Sequence, residues 1–244
     1  MQLQSEGLVL AAKATGEKDR LLTVLSKEYG VLFAYANGAQ RAGSRLQGAA
    51  QPFCYGQFEF ARRKDTYTLR EAQPQEIFFA LAHEPVRLAL AVYFAQLGAA
   101  LSPREEPAPE QLRLLLNLLH FLCEGTRSQA LLKAVAELRL LSLAGFAPDM
   151  DAWDGEVPAA LDCTGGRVLP VATGQRLPAG WCCLPPAAAA ALAHICTAPL
   201  ERLFRFAVTE EALCLLAGAA EQYLRRQWDG KFESLAYYRR LTAI

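Results

Sequence analysis

The spacing of apolar residues changes once along the chain, near residue 76, and divides it into a strand-like part and a helical part. Ahead of that point apolar residues come in short runs bounded by turn residues. Val9 and Leu10 lie in one run at 7–14, a second covers 20–26 and a third 31–37. Gly30 ends the Lys-Glu-Tyr-Gly link between the last two, a loop of hairpin length. Residues 54–63 alternate imperfectly through Tyr55, Gln57, Phe58, Glu59 and Phe60. Residues 66–72 alternate more cleanly, with Tyr67 and Leu69 opposed to Thr66, Thr68 and Arg70, and 63–65 is a tight link between the two. Five short strands in roughly seventy residues predict a small closed β-barrel.

Beyond residue 76 the period is helical. The spacing predicts a helix from Pro85 to about 101, a polar, proline-rich connector over 102–109, and a second helix over 110–125 that stops at Gly125. A third opens with Thr126 and Gln129 at capping-box spacing, and Leu131, Val135, Leu138 and Ser142 share one of its faces. Gly145 and Pro148 end it. Residues 147–183 are rich in Gly, Pro and Asp and read as an irregular excursion or a small turn-rich subdomain. Helical pattern returns at 185–196, at 199–206 opening on Pro199, and at 209–228 with Thr209 as N-cap, and the tail over 231–241 is amphipathic.

A chain of 244 residues that is 52% hydrophobic can bury one or two cores. The formal net charge is zero, with 25 basic and 25 acidic residues, so a nucleic-acid surface has to be a local patch. The cysteines number seven, and none stands in a Cys-x-x-Cys pair, which reads as reduced thiols of a cytoplasmic protein. The first ten residues lack the basic-then-apolar order of a signal peptide. The longest apolar stretch, 86–101, carries Arg87 and Gln96 and is short for a membrane span.

One segment offers chemistry. Residues 37–48 join the third and fourth strands and hold Gly38, Gly43 and Gly48, the cations Arg41 and Arg45, and the donors Gln40, Ser44 and Gln47. Loops between the strands of such a barrel are where oligonucleotides are held, because phosphates need cations and donors in a strip that can follow a strand. Arg62, Arg63, Lys64 and Arg70 add a local basic excess over Glu59, Asp65 and Glu71, and Lys13, Lys18 and Arg20 join it from the first turn. Phe33, Tyr35, Phe53, Tyr55, Phe58, Phe60 and Tyr67 could stack on bases. The plainer alternative is a solvated Gly/Arg loop with aromatics that merely fill the barrel. Catalysis has little support, since no Gly-x-Ser-x-Gly, P-loop or His-Glu-x-x-His pattern is present.

The order Gly16, Glu17, Asp19, then Gly38, Arg41, Ser44, Arg45, then Gln51, Pro52, Phe53 resembles the N-terminal barrel of the RecO family of bacterial recombination mediators. The resemblance continues through 67–72, 138–150 and 233–241. It implies an α+β chain: a five-stranded OB-fold barrel at 1–75, then a helical domain at 76–244 with a small irregular, degenerate zinc-finger-like insertion at about 147–183. It implies a non-enzymatic protein that binds single- and double-stranded DNA, anneals complementary strands and, with RecR, helps load RecA onto strands coated by single-stranded-DNA-binding protein. The DNA contact falls on Arg41 and Arg45 with the neighbouring cations, while Glu17 and Asp19 stabilise the turn. The implied location is the cytoplasm, at the nucleoid.

Many relatives carry two Cys-x-x-Cys pairs after the Gly-Phe-x-Pro stretch, a strong zinc pattern. This chain lacks both and keeps Cys163, Cys182, Cys183 and Cys196, with His194 nearby, so a metal-free remnant is expected. An acidic, apolar partner tail such as that of single-stranded-DNA-binding protein would suit a groove rimmed by cations, for which Lys133, Arg139, Arg202 and Arg205 are candidates. Two rival readings stand beside this one: an adaptor whose barrel binds peptide, and an enzyme with an unrecognised pocket.

Overall fold

The computed structural model describes residues 1–242. It falls into two compact units, one formed by Met1–Glu124 with the C-terminal helix and the other by Gly125–Lys231. Expectation drew the line at residue 75. The helices after the barrel group with it because the barrel has an apolar outer patch to cover.

Strands β1 (Gln2–Thr15), β2 (Asp19–Ser26), β3 (Gly30–Ala36), β4 (Cys54–Arg63) and β5 (Thr66–Ile77) close in the order β1-β2-β3-β5-β4. All pairings are antiparallel except β3 with β5, the arrangement of an OB-fold. Alternation sends Leu22, Val24, Leu32, Ala34, Phe58, Phe60 and Leu69 inward. β1 starts five residues ahead of the apolar run at 7–14 that announced it. Its opening residues Gln2, Gln4 and Glu6 face out beside β4, while Leu3 and Ser5 are buried. A register shift between Val9 and Ala11 bends the strand, so that it pairs first with β4 and then with β2.

Leu8, Leu25 and Val31 form an outward row across β1, β2 and β3, yet all three are buried. Helices α1 (Pro85–Leu101) and α2 (Pro109–Glu124) pack over this part of the barrel, where Leu8, Leu10 and Phe53 meet Ala91, Phe94, Leu115 and Leu119. Gly98 lets the two helices close, since a Cβ there would lie 2.5 Å from Leu115 Cδ1. The connector between them is bonded to the barrel: Val31 N–H donates to Pro103 O and Ala108 N–H to Lys27 O, both at 2.9 Å. Gly30, at φ +60°, leaves no room for a side chain, because a Cβ would stand 2.2 Å from Pro103 O. The last helix, α6 (Glu233–Thr242), packs on α1, with Ser234 Oγ 2.5 Å from Gln96 Oε1.

In the second unit α3 (Gln129–Leu143) is capped by Ser128, whose Oγ accepts from Leu131 N–H at 3.2 Å. The cap lies two residues beyond the expected Thr126, because Gly125 at φ +68° first reverses the chain. The 147–183 segment is not irregular throughout. It holds a three-stranded sheet in the order β7-β6-β8, with β6 (Ala159–Asp162), β7 (Arg167–Pro170) and β8 (Trp181–Leu184). Four-residue strands carry too few positions for a period to show. After α4 (Pro186–Thr197), the expected helix at 199–206 is instead a run of turns, with Arg202 N–H donating to Pro199 O and Arg205 N–H to Arg202 O. Thr209 caps α5 (Glu210–Gln227) as its position predicts, accepting from Ala212 N–H at 3.3 Å.

A buried ion cluster joins α3 to α5. Lys133 Nζ lies 2.7 Å from Glu137 and 2.9 Å from Glu221, which also binds Arg225 at 3.0 Å. No helix among the described residues is long and apolar enough to cross a membrane.

Two stability predictions follow from this packing. Gly30→Ala forces an alanine into the left-handed region against Pro103 and lowers unfolding stability by at least about 2 kcal/mol in urea titration; an unchanged midpoint would contradict the close approach. Lys133→Ala removes the buried cation that faces Glu137, which is 0% exposed, and Glu221, and lowers stability by roughly 3–5 kcal/mol by the same measurement.

Candidate nucleic-acid interface

The loop between β3 and β4 is built rather than loose. It proceeds by short turns, with Arg41 N–H donating to Gly38 O, Ser44 N–H to Arg41 O and Gln47 N–H to Ser44 O at 3.0–3.1 Å. Ala39, Ala49 and Ala50 drop into the barrel core and tie both ends of the loop down. The β1–β2 turn grips it from the side. Asp19 Oδ1 accepts from Gly38 N–H at 2.6 Å, Gln40 Nε2 donates to Asp19 O at 2.8 Å, and Gln40 N–H donates to Lys18 O at 3.0 Å. Arg20 Nη1 donates to Ala50 O at 2.7 Å.

These anchors assign the predicted residues to different tasks. Arg41 and Arg45 are exposed and form no ion pair with any described residue. The bonds between Gln40 and residues 18 and 19 bring the β1–β2 turn, with exposed Lys18, against the loop that carries Arg41. Arg20, expected among the DNA contacts, is half-buried and spends its guanidinium on the loop backbone. Asp19 holds the loop, which gives its expected turn-stabilising role a definite partner.

Register places the remaining cations. Lys13, Leu21, Tyr35 and Thr68 form one outward row across β1, β2, β3 and β5, and Ala11, Thr23 and Phe33 form the next. Phe33 and Tyr35 are 44% and 39% exposed. Of the other candidate stacking rings, Phe53, Phe58, Phe60 and Tyr67 are buried and Tyr55 is half-buried with its hydroxyl on Glu6. At the β4–β5 turn Arg63 and Lys64 are exposed, as is Arg70 further along β5. Arg62 is occupied: it pairs with Glu105 at 3.1 Å, donates to Lys64 O and lies over the Tyr67 ring at 5.3 Å. Tyr67 donates its hydroxyl to Glu105 at 2.9 Å; burial first, then this bond, raises the phenol above its ordinary range and keeps it a donor.

Sequence reasoning missed Arg104. It lies in the α1–α2 connector that reads as a polar spacer, yet its guanidinium stands 5.2 Å from the Phe33 ring centroid. Nothing local announces this, because the contact depends on the connector folding back onto Gly30. The face formed by β1, β4 and β5 has the opposite character. Gln4, Glu59 and Glu71 form one row there and Glu6, Gln57 and Gln73 the next, around a depression of about 310 Å³.

In the second unit, Lys133 and Arg139 do not rim a groove. Both are 7% exposed on the fully packed α3, where Lys133 joins the ion cluster and Arg139 Nη1 donates to Cys196 O at 2.5 Å. Arg202 and Arg205 are exposed on the turns before α5. Of the four cysteines weighed for zinc, only Cys163 and Cys182 meet, with sulfurs 3.7 Å apart, and Cys182 also contacts Gln222 Oε1 at 3.2 Å. Cys183 is exposed and Cys196 lies buried beside Arg139. Among the described residues no three His, Cys, Asp or Glu side chains converge as a metal site.

Comparison with known proteins accounts for both parts of the chain. Residues 1–78 match the family model described as Recombination protein O N terminal, and residues 82–236 the one described as Recombination protein O C terminal. The chain is 30% identical to the DNA repair protein RecO of Acetivibrio thermocellus, over 99% of this chain and 98% of that one. It is 34% identical to the protein of that name from Desulforudis audaxviator, over 83% and 82%. The corresponding protein of Heliobacterium modesticaldum is 30% identical over 95% and 87%.

Asp19→Ala should free the loop without unfolding the barrel. The expected outcome is a stability loss of about 1–3 kcal/mol for the stranded Gly38 donor, with faster trypsin cleavage after Arg41 and Arg45. Unchanged cleavage would show that the carboxylate does not hold the loop.

Proposed function

The chain belongs to the RecO family, and from that premise we propose that it is a DNA repair and recombination mediator that holds DNA strands by their phosphates along the outer face of its barrel. Arg41 and Arg45 are the principal contacts, with Lys13, Lys18, Arg63, Lys64 and Arg70 beside them. The observation that carries the reading is the pair of exposed arginines, free of carboxylates, on a loop that Asp19 and Arg20 hold in place. Fixed cations neutralise phosphate without first being ordered, and they release counterions from the strand.

Binding of this kind grips the backbone and leaves base edges open. That suits strand annealing, where two bound strands must still find each other's bases. In the same reading the protein acts with RecR to load RecA onto strands coated by single-stranded-DNA-binding protein. Arg202 and Arg205 remain available to an acidic, apolar partner tail in the second unit. The activity requires no bond-making step and no cofactor, and it belongs in the cytoplasm at the nucleoid. The acidic β1–β4–β5 face gives the barrel a sidedness toward polyanions. A barrel that bound peptide instead would show no affinity for oligonucleotides and little response to salt.

The test is the combined variant Arg41→Ala, Arg45→Ala, titrated with a labelled single strand across a salt series. The fold should survive, affinity should fall, and the slope of log affinity against log salt should flatten by roughly 1.4, about 0.7 for each lost phosphate contact. Identical slopes for variant and parent would remove the loop from the interface.

A further inference from the structure

We infer that the α1–α2 connector forms part of the DNA surface, and that Phe33, Tyr35 and Arg104 make a stacking rail that selects unpaired strands over duplex. The inference rests on the reading of the barrel face as DNA-binding and names the substrate class that this part of it takes.

The outward positions of β3 are Val31, Phe33 and Tyr35, and only the first is buried, close under the connector. The two rings stay bare although their neighbours across the sheet are modest: Ala11 and Thr23 beside Phe33, Leu21 and Thr68 beside Tyr35. Each ring therefore keeps exposed surface for a flat partner, with the Arg104 guanidinium already lying over Phe33. Leaving two aromatic surfaces in water gives up burial that the fold obtains for four other barrel aromatics, Phe53, Phe58, Phe60 and Tyr67.

Arg104 extends this surface from outside the barrel. Its backbone bridges to Gly30, and bonds on either side, Val31 to Pro103 and Lys27 to Ala108, fix the segment. The neighbouring Glu105, at φ +59°, turns away to Arg62 and Tyr67. The connector thus separates its adjacent opposite charges. The glutamate is consumed by the barrel, and the exposed guanidinium is left over Phe33 at 5.2 Å. A base seated on Phe33 would bring its phosphate within the reach of Arg104, while Lys13, in the Tyr35 row, receives the strand at the other end.

Spacing decides between single strand and duplex. Residues two apart on a strand are separated by about 6.6 Å. Bases stacked in a duplex rise by roughly 3.4 Å. The rings fit successive bases of a stretched, unstacked strand, and paired bases cannot leave their stack to reach them. Duplex binding should therefore depend on the loop cations and single-strand binding on both features.

The experiment compares the full-length protein with Phe33→Ala, Phe33→Leu and Arg104→Ala, each first confirmed as folded by thermal melting. Affinities are measured for a fluorescein-labelled oligothymidylate, an abasic oligonucleotide and a duplex, all of the same length. The two Phe33 variants should bind oligothymidylate about tenfold more weakly, the loss of one stacked base, and Arg104→Ala should also bind it more weakly through the lost phosphate contact, while duplex affinity moves less than twofold in all three. The parent should bind the abasic strand more weakly than Phe33→Ala binds oligothymidylate, because Phe33 and Tyr35 both lose their bases. Phe33→Leu keeps an apolar side chain without the ring face, so its agreement with Phe33→Ala supports stacking. Equal losses on single strand and duplex, or no loss on either, would overturn the rail while leaving the loop cations in place. Failure of the parent protein to bind any of the three would sink the barrel reading itself.

Discussion

The Asp19 carboxylate, bonded to the Gly38 amide, is the interaction on which the arrangement of the barrel face depends. It joins the first hairpin turn to the long loop, and Arg20 completes the grip at Ala50. With Ala39, Ala49 and Ala50 seated in the core, the loop between them can only project outward. An acid and a base that carry no phosphate thus decide where the phosphate-binding cations stand. This explains how a Gly-rich loop can present charge without losing it to disorder, since part of the ordering entropy is met in the folded state.

A molecule with 25 acidic and 25 basic residues attracts DNA only if it keeps the two apart. The barrel does so by register. Alternation sends Gln4, Glu59 and Glu71 to one outer face and Lys13, Leu21, Tyr35 and Thr68 to another. A slip of one residue would exchange these rows with the core, so the hydrophobic interior enforces the charge pattern on the surface. The outer row Leu8, Leu25 and Val31 goes further: covering it recruits α1 and α2, which brings the connector and Arg104 to the aromatic row.

What could be read from the sequence divides along the same line between local and distant. Strands β2 and β4, the Gly30 turn and the Thr209 cap were visible because neighbours in sequence decide them. Arg41 and Arg45 were visible because glycines and arginines cluster in one loop. The opening of β1, ahead of residue 7, was hidden, since its outward glutamines and Glu6 mask a stretch whose inward residues are only Leu3 and Ser5. Lys133 and Arg139 looked like surface cations, and only the packing of α3 against α5 and α4 shows them buried and paired. Arg20 and Arg62 looked like two more phosphate ligands, but each is spent on a partner between thirty and forty-three positions away. Such pairs have no signature in a single sequence.

The most direct test of the account is an amide hydrogen-exchange footprint of a single-stranded oligonucleotide on the full-length protein. Binding should slow exchange in the 13–20 turn, along the 37–48 loop and in the 102–108 connector, with no change over 57–60 and 71–73 on the acidic face. Protection confined to that acidic face, or found only in the 125–231 unit, would contradict it.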